Sequence, residues 1–113
     1  MAFDTDLIGP AWYLADIWRT YLVGSAKPSA RQRRLYADAQ VFLAEIIAEL
    51  KPGAAFDEIG ERLSRRLPAA YHAERYPFIA HGSGLSDEYP VLAFRDHHAG
   101  EVEVGMVSAW RRI

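Results

Sequence analysis

Three aspartates, Asp4, Asp6 and Asp16, stand near the start of this chain in a stretch otherwise crowded with aromatic and aliphatic side chains, FDTDLIGPAWYLADIW. Aspartate is depleted in strands, so three in so apolar a run ask for a reason. Side chains alternate along a strand, which puts Asp4 and Asp6 on one face. A hairpin turning near Gly9-Pro10-Ala11 predicts Asp4 opposite Asp16, and therefore three carboxylates in one place. Like charges that close repel and raise one another's pKa. A divalent cation removes the conflict. His81 opens the stretch HGSGLSDEYP and offers a nitrogen ligand. Hard oxygen donors with one imidazole suit Mn, Fe(II), Co or Zn. Gly82 and Gly84 would allow close backbone approach and positive φ. The plainer reading of the same residues is a pair of solubilising aspartates on an edge strand, an ion-paired Asp16, and a loop histidine bonded to a backbone carbonyl.

Other chemistries are absent from the pattern. His72 reads as a helix-surface residue, and His97 and His98 as members of a solvated loop. The spacings match neither a zinc finger nor an HExxH helix. There is no glycine-rich phosphate loop and no GxSxG elbow. The chain has no cysteine, which excludes disulfides, thiolate metal sites and cysteine nucleophiles.

The elements that must position these residues follow from periodicity. Residues 2–8 and 11–23 read as two extended segments around the breaker pair Gly9-Pro10. Ser29 is an N-cap for a long helix with Leu35, Ala39, Phe42, Ile46 and Leu50 on one stripe. Lys51-Pro52-Gly53 stops it. A second amphipathic helix carries Phe56, Ile59, Leu63 and Leu67 and ends at Pro68, with a further helical turn expected between Ala69 and Tyr76. A short strand, Val91 to Phe94, and strand-like alternation in EVEVGMVSAWRRI complete the chain. Hairpin, helix, helix, strands is an α+β order.

With 113 residues and a net charge of −2, one domain is expected, and neither a nucleic-acid groove nor a polybasic membrane patch. Arg31, Arg33 and Arg34, and likewise Arg65 and Arg66, read as solvated helix faces. The start, MAFDTDLIGP, lacks the basic and apolar regions of a signal peptide. No apolar run reaches the ~20 residues of a membrane span. A cytoplasmic location is the expectation.

The blocks FDTDLIGPAWYLADIWRTYLVG, LKPGAAFDEI, HGSGLSDEYP and GEVEVGMV, in that order, resemble the pita-bread metallopeptidase superfamily of methionine aminopeptidases, Xaa-Pro peptidases and creatinase. The resemblance implies a dinuclear site with one or two divalent metals. Its aspartate ligands fall on Asp4, Asp6 and Asp16, and its histidine ligand on His81. Peptidases of the group carry a second histidine ahead of an E-x-P element; here Asp87 stands there, and Glu88 takes the non-ligand E-x-P position. That block, with DTD near the start, is similar to the dimethylsulfoniopropionate lyase branch. By that similarity Asp87 is the base that removes a proton next to a carboxylate, and Tyr76 lines the pocket, where an aromatic face suits a sulfonium cation.

The superfamily takes two further ligands from glutamates beyond GMV. Arg111 or its neighbour occupies the first of those places, and Glu101 and Glu103 read as exposed strand residues. The resemblance thus implies a single, incomplete catalytic domain over 1–113. Its expected activity is that of a metal-dependent enzyme, Xaa-Pro aminopeptidase-like or lyase-like, on a small-molecule or peptide substrate. The alternative is an inactive remnant that acts only by association. Trp12, Trp18 and Trp110 would then supply an apolar patch for a homo-oligomer.

Overall fold

The computed structural model describes residues 1–73, 75–95 and 99–110, without the side chain of Asp87. The first two strands, β1 (Ala2–Ile8) and β2 (Leu14–Thr20), form an antiparallel hairpin. The extended segment expected from residue 11 starts later. Pro10 sets a tight turn, and Ala11 and Trp12 adopt positive φ, so Pro10–Trp12 bridges the strands instead of joining β2.

Helix α1 (Ala30–Glu49) begins where Ser29 predicts. Ser29 Oγ accepts from the Gln32 amide at 3.2 Å, and Gln32 Oε1 accepts from the Ser29 amide at 2.8 Å. This reciprocal pair satisfies two amides that would otherwise lack partners at the helix start. Gly53, at φ 83°, makes the turn that ends the helix. Helix α2 (Phe56–Arg66) has Asp57 and Glu58 in its first turn and Arg65 and Arg66 in its last, complementing the macrodipole at both ends. A single 3-10 turn, Ala69–Tyr71, follows in place of the longer helical turn expected up to Tyr76.

The second sheet has order β4-β3-β5, built from β3 (Phe78–Ser83), β4 (Asp87–Ala93) and β5 (Ser108–Trp110). Two expectations change here. HGSGLSDEYP is not a loop ahead of a short strand but the tip and flanks of an antiparallel hairpin. The alternating segment after Glu101 does not pair as a strand until Ser108; Glu101 makes only an isolated bridge to Ala55. Of the two valines in EVEV only Val102 is half-buried and Val104 is exposed, so the alternation marks no buried side here.

The helices pack on this sheet. Phe42 and Ile46 of α1, Phe56, Ile59 and Leu63 of α2, and Leu67 meet Ile79, Ala80, Leu92 and Phe94 in one core. Leu35, the first member of the α1 stripe, stays exposed, because burial on α1 begins at Ala39. At its other end α1 is tied to α2 by Glu49. Its carboxylate accepts from Arg62 Nε at 2.9 Å and Arg66 Nη1 at 2.8 Å. Burial alone would raise the Glu49 pKa, but the bonds and charge of Arg62, then of Arg66, outweigh it and hold the carboxyl below its usual range.

Gly82 is demanded by packing. A Cβ there would lie 2.1 Å from the carbonyl oxygen of Tyr89 on β4. Neither Gly82 nor Gly84 has positive φ, and a Cβ on Gly84 would meet nothing within 4 Å. The freedom expected of both glycines is therefore needed at one, and the need is space. The register shifts between His81 and Ser83, where β4 bulges through Glu88 at φ 57°.

Candidate metal centre

The β1–β2 register pairs Asp6 with Asp16 and Asp4 with Trp18. A turn centred on Pro10 would set Asp4 opposite Asp16; that expectation is two residues out, because β2 starts only at Leu14. All three carboxylates still share a face. One oxygen from each of Asp4, Asp6 and Asp16 lies within 4.8 Å of the others. Among the described residues they are the acidic group that fits a metal, and Glu101 and Glu103 lie outside it.

His81 reaches this group from the other sheet. Its side chain is fully buried, and Nε2 stands 3.0 Å from Asp16 Oδ2. The two hairpins are stitched together at this point. The Leu14 amide donates to the Gly84 carbonyl at 2.8 Å, and Ser83 Oγ donates to the Leu14 carbonyl at 3.3 Å. The other ring nitrogen, Nδ1, lies 3.0 Å from the Gly82 carbonyl. A proton on Nδ1 donated to that carbonyl leaves the Nε2 lone pair facing the carboxylate, the orientation that metal-binding imidazoles adopt. Two acceptors facing each other at 3.0 Å repel unless a proton or cation lies with them. That spacing is also what two donors at about 2.1 Å from one cation show when they subtend a right angle. The donor set, three carboxylates and one imidazole, fits a divalent cation.

An aromatic line continues from His81. Phe78 meets the imidazole edge to face at 5.5 Å, and Tyr76 meets Phe78 likewise at 4.6 Å. Tyr76 is 40 % exposed, so it lines open space and is not a core residue. Asp87 opens β4, in register with Ser83; its side chain lies outside the described residues, as do His97, His98 and Arg111. His72 is exposed, with Nε2 2.9 Å from the Leu67 carbonyl. A cavity of about 340 Å³ is lined by Leu50, Phe56, Leu92, Met106 and Trp110 and shares His81, but none of the aspartates, with the cluster.

The model of Metallopeptidase family M24 matches residues 3–111. The chain belongs to the M24 metallopeptidase family. It is 38 % identical over 96 residues to the dimethylsulfoniopropionate lyase DddP of Roseovarius nubinhibens, covering 85 % of this chain and 21 % of that protein. Against the enzyme of the same name from Roseobacter denitrificans, identity is 32 % over 97 residues, or 86 % of this chain and 22 % of the relative. Methionine aminopeptidase B of Synechocystis sp. is 36 % identical over 74 residues, 66 % of this chain and 26 % of that protein. The chain thus spans about a fifth to a quarter of the length of these curated relatives.

What sequence reasoning lacked was Trp18. Alternation from Asp16 puts it on the same face, but its place directly across from Asp4 shows only in the hairpin's pairing.

Proposed function

We propose that this M24 chain carries the aspartate–histidine part of a divalent-metal site in a metal-dependent lyase acting on dimethylsulfoniopropionate or a close analogue. The observation that carries the reading is the convergence of Asp4, Asp6 and Asp16 within 4.8 Å with His81 Nε2 at 3.0 Å from Asp16. Asp4, Asp6, Asp16 and His81 would hold one or two divalent ions. Such an ion supplies a Lewis acid for the substrate carboxylate. The two lyase relatives favour elimination over hydrolysis.

In that reaction Asp87 takes the proton from the carbon next to the carboxylate. The electron pair of that C–H bond becomes the new double bond. The C–S bond breaks with its pair going to sulfur, so dimethyl sulfide leaves and acrylate remains. A carboxylate suits the base role where its pKa matches the working pH. Tyr76, with its ring exposed on the aromatic line that leads to His81, would face the substrate.

The relation to methionine aminopeptidase B favours a second reading, hydrolysis of a peptide bond at the same metals. A third, action through association with a partner or a second copy, draws on the exposed Phe3, Leu7 and Ile17 of the hairpin.

The first test is calorimetric titration of the chain with Mn(II), Fe(II), Co(II) and Zn(II), repeated on Asp16→Ala and His81→Ala. Defined stoichiometry lost in both variants is expected; equal binding by parent and variants would overturn the metal reading. Release of dimethyl sulfide from dimethylsulfoniopropionate, measured in the headspace, then separates the lyase from a peptidase that releases amino acids from short peptides. Sedimentation of the metal-loaded chain decides whether it self-associates.

A further inference from the structure

The carboxylates fill three corners of a rectangle on the hairpin, and Trp18 fills the fourth: Asp6 faces Asp16, and Asp4 faces Trp18. Met1 and Tyr21 exchange both backbone hydrogen bonds, each at 2.8 Å. The Gly9 amide donates to the Tyr13 carbonyl at 2.8 Å at the other end, in the same phase. Alternate pairs between them, including Asp4–Trp18 and Asp6–Asp16, are therefore the non-hydrogen-bonded kind. In such pairs Cα atoms approach to about 4.5 Å and side chains lie closest. Strand geometry thus makes the Trp18 and Asp4 side chains direct cross-strand neighbours.

Trp18 differs from the other aromatics of this region. Trp12 and Tyr13 are exposed at the turn, and Phe3 and Ile17 lie on the opposite, exposed face. Trp18 is half-buried, with a buried indole nitrogen, on the carboxylate side. That nitrogen is a donor only and cannot ligate a metal. The fourth corner thus adds an indole on the carboxylate face instead of a fourth ligand.

We propose that Trp18 is a specificity-determining residue, an aromatic wall that selects a methylated onium group on the ligand over an uncharged group of the same shape. A methylated onium has no N–H to satisfy, so hydrogen-bond acceptors give it nothing. It is weakly hydrated and is attracted to the negative face of an indole. The neighbouring Asp4 carboxylate adds charge attraction along the same edge. A primary ammonium would instead need several acceptors. The assignment rests on the proposed lyase reading, whose ligand carries a methylated onium at one end and, at the other, a carboxylate that the metal would hold.

The test uses the full chain with Trp12→Phe and Trp110→Phe, which leaves Trp18 as the sole indole. Dimethylsulfoniopropionate and isocaproate, its uncharged-tail isostere, are titrated while Trp18 emission is followed, with and without Mn(II). The sulfonium is expected to act saturably at about tenfold lower concentration than the isostere. By calorimetry, Trp18→Leu should bring the two ligands within about twofold while leaving Mn(II) affinity unchanged, and Trp18→Phe should keep part of the preference. Equal response to both probes, no response to either, or an undiminished preference in Trp18→Leu overturns the assignment. Should Trp18→Leu fail to fold, the emission titration and Trp18→Phe decide. An onium preference without metal binding would sink the lyase reading and leave Trp18 standing; metal binding without a preference would do the reverse.

Discussion

Replacing Gly82 with alanine places a methyl carbon 2.1 Å from the Tyr89 carbonyl oxygen and 2.8 Å from Pro90 Cδ. The atoms in the way are backbone and a proline ring, which cannot swing aside. Relief requires β3 and β4 to separate by roughly 1 Å, enough to stretch normal ladder hydrogen bonds of ~2.9 Å beyond their useful range. Overpacking of this kind costs about 1–3 kcal/mol, and the rigidity of the obstacle argues for the upper end. Loss of glycine's freedom in the unfolded chain returns roughly 0.4–1 kcal/mol. The net cost is about 2 kcal/mol, and a chain of this size loses about 4 °C of Tm per kcal/mol, so a fall of about 8 °C is expected. Because His81 adjoins Gly82, metal affinity should fall with it. Gly84→Ala is the internal control: open space, no positive φ, and therefore a Tm equal to the parent or slightly higher. Thermal unfolding followed by circular dichroism, with metal calorimetry on each variant, reads both effects. Two variants within about 2 °C of the parent, or Gly84→Ala the worse of the two, would refute the close-approach argument.

Leu63→Ala, at a fully buried position between α2 and the sheet, is expected to cost about 2–5 kcal/mol by chemical denaturation; a cost under ~1 kcal/mol would mean that α2 is not seated on the core. Ser29→Ala removes the reciprocal cap of α1 and should cost about 1 kcal/mol, whereas Ser29→Asp should keep most of the stability; equal losses in both would argue against capping. Glu49 has a folded pKa below its unfolded value, so its contribution is full above the unfolded value of ~4.3 and is lost as pH falls through the lower folded value. Its partners are partly solvated, which limits the effect to under ~1 kcal/mol. Glu49→Gln should therefore lower stability at neutral pH and flatten the acid limb of the stability profile; a parallel curve would exclude the ion pairs as its source.

Much of the fold is legible along the chain because its signals are local. Ser29 three residues before Gln32 marks the start of α1, and the apolar spacing of Phe56, Ile59, Leu63 and Leu67 marks the buried face of α2. The aspartates at strand spacing announce a shared face for the same reason: alternation needs only the residues themselves. The strand content of HGSGLSDEYP was not legible. Two glycines, two acids and a proline suppress strand propensity, and the pairing of β3 with β4 and β5 overrides it.

By itself, then, the sequence determined the α+β order, the two amphipathic helices, the presence of three aspartates and a histidine suited to a divalent cation, and the blocks that mark the family. Only the tertiary structure decided which groups meet. Register set Asp6 opposite Asp16 and put Trp18 beside Asp4, since a hairpin's pairing depends on where its turn ends. The docking of one hairpin on another brought His81 to Asp16 across 65 residues of chain. Contacts of that separation leave no periodic trace in the residues between them, because they are made by the packing of whole elements.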